Sequence, residues 1–480
     1  MMRIAAWLCS ALLGGCAALP PGPPLPAIDA PLAFRESAPT SADAAPAEAA
    51  ADGAWWKVFN DAALDGLVER ALGSHANASV EAAAARLAQA RAALGAAAAA
   101  RTPQVGLGGA ANRQGGPLVN AAGAEGNLAS VVLSASYEPD LFARQAAARD
   151  AAQLDVQARA DLLQATRLSV AADVTQTYLA LGALDAERAL ARAAALAQHE
   201  ALRIAEGRLR SGSLAELDLA RLRSEAAAVD AEVPLLARRR AELEHALAAL
   251  LGLAPAQFSS DELPFQTDRI ALPPQIPAGI PSQLLARRPD VAATQRAVLA
   301  AQARAGIARA AWVPSLALTA SAGHASADLV ELLHASTRAW GLGAVLALPI
   351  FDGGRREAGV RQADAELALQ VAAHRAQVLA ALREVEDQLS ALRGLAAELA
   401  LHAQAAAAAD RAVALAESRY RNGLASQLDL LDTRRTALRG RRLALQTQAA
   451  QMQATVALIK ALGGGWGDTA VPLPQAAGAS

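Results

Sequence analysis

The chain has 480 residues, of which 54% are hydrophobic and only 3% aromatic, and alanine supplies most of the apolar fraction. Because alanine is the strongest helix former and buries little area per residue, this composition favours long, closely packed helices over a bulky globular core. A net charge of −2 gives no basic surface for nucleic acid, and the absence of Walker A, HExxH, CxxC and GxSxG motifs argues against an enzyme or a cofactor site.

The N-terminus predicts a bacterial lipoprotein signal peptide over residues 1–15. Arg3 precedes an apolar run that is too short for a membrane-spanning helix, and small residues then lead into Cys16. We expect Cys16 to be lipidated and, because Ala17 rather than Asp follows it, the protein to reach the outer membrane. An ordinary secretory signal with a chance cysteine is the alternative. The other cysteine, Cys9, would leave with the signal, which excludes cysteine redox and metal chemistry.

A Pro- and Ala-rich tether is predicted at 16–54, after which the chain repeats itself. Gly212 and Gly423 lie in similar segments that each end in Leu-Asp-Leu, and the same offset of 211 residues relates Asp218 to Asp429. Solenoid repeats are only roughly 20–50 residues long, so this offset indicates a duplicated architecture.

The first repeat is predicted over 55–252. Alternation of apolar with small or polar residues indicates two strands, about 103–113 and 128–138, each long enough to cross a bilayer when tilted. Two long helices are expected next, at about 141–210 and 215–251. The first of these contains no proline, and a helix of that length would span ~100 Å.

The second repeat, 282–466, follows a proline-rich linker at 253–281 and precedes a loose tail at 467–480. It has the same order of elements, with strands at about 314–324 and 338–348 and long helices at about 354–422 and 426–462. Apolar residues from Val378 to Leu399 follow a coiled-coil spacing within the first of these helices, which taken alone would also suit a dimeric coiled-coil rod.

Four membrane strands cannot close a barrel. An open sheet edge in lipid leaves backbone donors and acceptors unpaired at several kcal/mol each, and bacterial single-chain barrels have at least eight strands. Strands in the membrane therefore require several chains to share one barrel, and three chains would supply twelve strands and six helical hairpins.

Eight short motifs carry a resemblance to a known family. They are Trp55–Phe59, Tyr137–Phe142, Ala286–Val291, Trp312–Leu316, Pro349–Gly354, Arg383–Asp387, Tyr420–Gly423 and Leu458–Trp466. Together, in this order and after a lipobox, they resemble the outer-membrane efflux factor family of TolC/OprM-like channels, in particular its NodT-type lipoprotein branch.

The resemblance implies a mainly α-helical fold with a membrane β-barrel part. It implies a homotrimer in which a twelve-strand β-barrel stands on a barrel of twelve long α-helices that extends into the periplasm. Such a protein would be the passive exit duct of a tripartite efflux pump, with a periplasmic adaptor protein and an inner-membrane RND-type transporter as partners. It would lie in the lipid of the outer membrane and need no cofactor, no metal and no catalytic residue.

Candidate working residues lie just past the second hairpin tip. Asp429 and Asp432 are three residues apart on one helix face, which in a threefold tube would repeat as a ring of six carboxylates. An ordinary solvated helix start with acidic residues near its N-terminus is the alternative. The resemblance implies that Tyr420, Leu428, Asp429 and Asp432 form the periplasmic aperture.

The resemblance also implies that the hairpin tips dock the adaptor; simple exposed turns are the alternative. The tip residues concerned are Arg210, Ser211, Gly212, Ser213, Asn422, Gly423 and Leu424.

Two other functions stay open at the level of sequence. The same fold could serve type I protein secretion, although a lipid anchor favours efflux. A periplasmic coiled-coil scaffold without a pore would predict no detergent-requiring trimer and no membrane association once Cys16 is replaced. The exported compound and the partner pump cannot be read from the sequence.

Overall fold

The computed structural model describes residues 31–36, 53–73, 76–115, 125–260, 274, 276 and 281–465. The predicted signal peptide, Cys16 and the predicted tail 467–480 lie outside the described residues, as do most of the tether and most of the linker. Eight α-helices and four strands are described. In chain order they are α1 (Ala62–Leu72), α2 (Ala78–Ala99), β1 (Gln104–Gly115), β2 (Glu125–Tyr137), α3 (Arg144–Arg210), α4 (Glu216–Leu250), α5 (Pro281–Arg287), α6 (Pro289–Arg309), β3 (Ser315–Ser326), β4 (Arg338–Ala347), α7 (Arg355–Arg421) and α8 (Gln427–Ala461).

A mainly helical chain with one small sheet confirms the coarse part of the predicted fold class. The long helices α3 and α7 each have 67 residues, and α4 and α8 each have 35. Across the described residues, none of the helices combines the length and the apolar character that crossing a membrane would require.

The chain divides into two compact units. The first, here called the sheet unit, contains Ala85–Ala160 and Ala293–Ala376. The second, here called the hairpin unit, contains Asp29–Ala84, Asp161–Ala292 and Gln377–Ser480.

The sheet unit holds one antiparallel sheet in the order β1-β2-β3-β4. The register places Leu107 opposite Leu133, Leu133 opposite Ala322, and Ala322 opposite Trp340, so these four side chains share one face. Leu107 is 74% exposed and Trp340 78% exposed. Serine, threonine and glycine dominate the opposite face, and within the described part of the chain β1 and β4 each have one edge without a partner strand.

Close strand pairing depends on a glycine in β3. A Cβ atom at Gly323 would lie 2.1 Å from the carbonyl oxygen of Val131 on β2. Any other residue at this position would therefore force the two strands apart.

Aspartates begin the two long helices that follow the strands. Asp140 accepts hydrogen bonds from the backbone N–H groups of Gln145 (3.0 Å) and Ala146 (2.7 Å) at the start of α3. Asp352 accepts from the N–H groups of Gly354 and Arg356, both at 3.1 Å, at the start of α7. Carboxylates at these positions satisfy donors that a helix N-terminus leaves without partners.

A buried arginine holds part of the hairpin unit together. Arg288 donates to the Glu384 carboxylate at 2.7 Å, to the Asp290 carboxylate at 2.7 Å and to the carbonyl of Ala461 at 3.0 Å. Although burial opposes it, hydrogen bonding from Arg288 holds the pKa of Asp290 below its usual range. The Arg-Arg-Pro-Asp motif and the Arg-Glu-Val-Glu-Asp motif thus meet at one ion-pair cluster.

The Arg-Glu-Val-Glu-Asp motif also binds a described segment near the N-terminus, residues 34–36. Glu386 accepts hydrogen bonds from the backbone N–H groups of Arg35 (2.8 Å) and Glu36 (3.0 Å). The adjacent Phe34 is 3% exposed and packs in one apolar cluster with Val385, which is fully buried. Three successive residues of this motif therefore make three different contacts. Glu384 binds Arg288, Val385 packs with Phe34, and Glu386 binds the backbone of residues 35 and 36.

Candidate functional site

The candidate site is the end of the hairpin unit where the long helices turn. In each hairpin an ion pair joins the two antiparallel helices on the side of the turn where they run next to each other. In the first hairpin, Arg223 on α4 pairs with Glu206 on α3 at 3.3 Å. In the second, Arg434 on α8 pairs with Glu417 on α7 at 2.7 Å.

Both turns close in the same way. Gly212 and Gly423 have φ values of 75° and 70°, in the left-handed region that favours glycine. In the first turn the N–H of Ser213 donates to the carbonyl of Arg208 at 2.9 Å, and in the second the N–H of Leu424 donates to the carbonyl of Arg419 at 2.8 Å. These bonds form a Schellman motif, which satisfies the free carbonyls at a helix C-terminus.

The two hairpins differ in how the next helix begins. In the second hairpin the Ser426 hydroxyl accepts from the N–H of Asp429 at 3.1 Å, and the Asp429 carboxylate accepts from the N–H of Ser426 at 3.1 Å. This is a capping box, which satisfies two helix donors at once. In the first hairpin Ala215 occupies the cap position of α4, and no described side chain caps that helix.

A three-residue relay joins the first hairpin to the second. Arg208 on α3 donates from Nη1 to the Tyr420 hydroxyl on α7 at 2.5 Å, and its Cζ lies 5.3 Å from the centroid of the Tyr420 ring. The Tyr420 hydroxyl donates in turn to Oε1 of Gln427 on α8. The relay therefore connects three of the four long helices at the tips.

An apolar cluster lies beneath this relay. Leu219 and Leu222 on α4 are buried with Ala205 on α3 and Leu431 on α8. Both hairpins contribute to this cluster, so the tips share a small core.

The predicted aperture residues fall into two environments. Leu428, which is 52% exposed, and Asp432 lie four residues apart on one solvent-facing side of α8, and Asp432 has no ion-pair partner among the described residues. The Asp429 carboxylate instead hydrogen bonds to the Ser426 hydroxyl at 2.7 Å. This side-chain hydrogen bond and the backbone hydrogen bond from Ser426 lower the pKa of Asp429, which keeps it ionised.

Sequence reasoning missed the partners at this site. The pairing of Arg208 with Tyr420 joins residues 212 positions apart and has no local pattern. The capping box had a readable signal, because Ser426 and Asp429 stand three residues apart at the start of a helix. The proline inside α4, Pro234, was also readable.

Two glycine-closed helical hairpins, together with a sheet that exposes an apolar face, are the features expected of an outer-membrane channel protein. The family profile described as "Outer membrane efflux protein" matches residues 67–253 and 280–464. The chain belongs to the outer membrane efflux protein family.

Individual relatives agree with the family assignment. The pyoverdine export outer membrane protein OpmQ of Pseudomonas putida is 35% identical over 454 residues, which cover 93% of this chain and 94% of that protein. The outer membrane protein OprJ of Pseudomonas aeruginosa is 32% identical over 423 residues, covering 87% and 88%. A solved structure of the outer-membrane channel OprN is 28% identical and aligns with a TM-score of 0.82 over 94% of this chain and 99% of that one. The protein is an outer-membrane channel component of an efflux pump.

Proposed function

We propose that three copies of the chain form one duct, in which twelve strands make a β-barrel and twelve long helices make an α-helical barrel. The observation that carries this proposal is the sheet. Its exposed apolar face suits lipid, its Ser- and Gly-rich face suits a water-filled interior, and its two end strands have unpaired edges in the described structure. Neighbouring copies would pair those edges, because unpaired backbone groups are costly in lipid.

The duct would serve a tripartite pump. An inner-membrane transporter of the RND class would supply the energy, and a periplasmic adaptor would bind the hairpin tips. The exposed tip residues from Arg210 to Ser213 and from Asn422 to Leu424 offer the adaptor a rigid surface, because both turns are closed by two backbone hydrogen bonds. OpmQ is described as a pyoverdine export protein, and export of a small compound is the activity we propose here.

The periplasmic aperture would be lined by Leu428 and Asp432. Both are solvent-exposed on α8, one turn from the Tyr420 relay. In the trimer Asp432 would supply a ring of three carboxylates that attracts cations, and Leu428 would narrow the passage. Asp429 would support this ring by fixing the start of α8 rather than by facing the passage.

The N-terminal assignment supports the same location. We propose that residues 1–15 are removed, that Cys16 is lipidated in the outer membrane, and that the mature chain folds as two repeats, 55–252 and 282–466. The matches of the family profile to two successive segments support this division.

Planar-bilayer recording of the purified protein tests the proposal. The wild-type protein should run as a detergent-requiring, heat-modifiable trimer and conduct ions with a preference for cations. Asp432→Asn should weaken that preference, because it removes the charge without changing the shape. Asp218→Asn is the control, since it removes a carboxylate from the first hairpin, where Asp218 corresponds to Asp429 and pairs with Arg221 at 3.7 Å. A monomer without conductance would refute the duct, and unchanged selectivity of Asp432→Asn would refute the carboxylate ring.

A further inference from the structure

A proline interrupts α4. Pro234 lies in the interior of this helix, whereas the corresponding position of α8, Leu445, carries no such break. A proline donates no N–H to the carbonyl four residues earlier, here Asp230, and its ring crowds that carbonyl. The backbone of α4 is therefore weakest around this turn, and that of α8 has no equivalent weak point.

The packing of α4 is also interrupted at this place. Its buried residues are Leu219, Leu222, Ala226, Leu236, Leu247 and Ala248. Residues 227–235 are all described and none of them is buried. Residues 237–246 also contain no buried residue, so Leu236 is the one buried residue of α4 between Ala226 and Leu247. Elements with few buried contacts open most readily, so the proline lies within a stretch of α4 that packing holds weakly.

Among the described residues, the ion pairs between α4 and α8 all lie before the proline. Before it, Glu225 pairs with Arg435 on α8 at 3.1 Å, and Glu232, one heptad later, pairs with Arg442 on α8. After it, Arg240 pairs with Asp185 on α3 at 2.8 Å.

These contacts also differ in how well they are buried. The side chains of Arg240 and Asp185 are 12% and 18% exposed, which makes their clamp stronger than a surface pair. Two pairs that link the earlier segment to α3 are more exposed, His199 with Asp230 and Arg223 with Glu206.

We propose that Pro234 is a hinge that lets residues 216–233 tilt together with the tip of α8 while the rest of α4 stays clamped to α3. The apolar cluster joins Leu219 and Leu222 of α4 to Leu431 of α8, so the two segments tilt together, and their contact with Ala205 on α3 has to open as they do. Rotation at the hinge then carries the α8 face bearing Leu428 and Asp432 away from the closed position. This part of the inference rests on the proposed aperture.

Hydrogen–deuterium exchange of the full-length protein in detergent tests the hinge itself. Pro234→Ala restores the missing backbone hydrogen bond, so peptides covering 227–238 should exchange about tenfold more slowly or slower still. Leu235→Ala is the control, because it changes an exposed neighbour without adding an N–H group. Equal exchange in the wild-type protein and Pro234→Ala would overturn the hinge.

Bilayer recordings of the same variants test whether the hinge controls opening of the proposed aperture. Pro234→Ala should lower the open probability several-fold, and Leu235→Ala should leave it unchanged. Slower exchange with an unchanged open probability would overturn the coupling to the aperture. A wild-type protein that does not conduct would instead refute the duct, and the exchange result would still decide the hinge.

Discussion

Arg208 makes two contacts with Tyr420, a hydrogen bond and a cation–π contact. Its guanidinium donates to the Tyr420 hydroxyl at 2.5 Å, and its Cζ lies 5.3 Å from the ring centroid. The two residues belong to different hairpins. The Tyr420 hydroxyl donates a second hydrogen bond to Gln427 at the start of α8. The relay therefore ties the position of α8, which carries the proposed aperture residues, to the end of α3.

Removing the Arg208 side chain should loosen the contact between the two hairpin tips. Arg208→Ala removes a charge-assisted hydrogen bond and a cation–π contact, and we expect roughly a threefold to tenfold rise in the conducting fraction. Single-channel recording in planar bilayers measures this fraction. Arg210→Ala is the control, because Arg210 is a nearby tip arginine without a partner among the described residues. Equal effects of the two substitutions would show that net charge rather than the relay sets the closed state.

Much of the fold was readable from the sequence because it rests on local patterns. The strand β3 spans Ser315–Ser326 where alternation predicted about 314–324, and α7 spans Arg355–Arg421 where the proline-free stretch predicted about 354–422. Gly423 has the positive φ expected after a helix end. Each of these features depends on residues that are close together in the chain.

The contacts at the tips could not be read in the same way. The residue at position 208 is one of many arginines on a long helix, and only the packing of two hairpins places it against Tyr420. Likewise, Asp429 and Asp432 look equivalent in the sequence. In the structure the Asp429 carboxylate is hydrogen bonded to Ser426, whereas Asp432 is exposed to solvent. Side-chain partners across elements depend on tertiary structure.

The capping difference between the hairpins predicts opposite effects of two substitutions. Ser426→Ala removes the cap of α8 and should cost about 1 kcal/mol of stability. Ala215→Ser should stabilise α4 by a similar amount, because Asp218 already stands three residues later and completes a capping box. Urea unfolding of the detergent-solubilised protein measures both changes. If Ala215→Ser proved neutral or destabilising, the start of α4 would not be limited by its missing cap.

Mild acid should weaken the sheet unit through His374. Burial lowers the pKa of His374, whose Nδ1 lies 2.9 Å from the Thr294 hydroxyl. The unfolded chain takes up a proton near the ordinary histidine pKa of about 6.5, whereas the folded protein does so only at lower pH. This contribution to stability is therefore complete above about pH 6.5 and falls as the pH is lowered through the folded-state pKa.

His374→Gln should remove that part of the pH dependence. Thermal unfolding at pH 7.5 and 5.5 should show a smaller loss of the melting temperature in the variant than in the wild-type protein. Thr294→Val is the control, because it removes the hydroxyl partner but leaves the imidazole to titrate. An identical pH dependence in the wild-type protein and His374→Gln would assign the acid sensitivity to other groups.

The junction before α3 contains a strained alanine that glycine should relieve. Ala143 has φ = 55°, whereas the corresponding position directly before α7 is Gly354, with φ = 87°. A residue with a Cβ in this left-handed conformation costs about 1–2 kcal/mol of stability. Replacing it with glycine removes that cost, but glycine also loses more conformational entropy on folding, which offsets part of the stabilisation. We therefore expect Ala143→Gly to stabilise the protein by about 0.5–1 kcal/mol and Gly354→Ala to destabilise it by a similar amount. Thermal unfolding in detergent measures both, and Ala143→Ser, which keeps the Cβ, should change little. A destabilised Ala143→Gly would mean that the backbone at this junction is held by contacts that outweigh the strain.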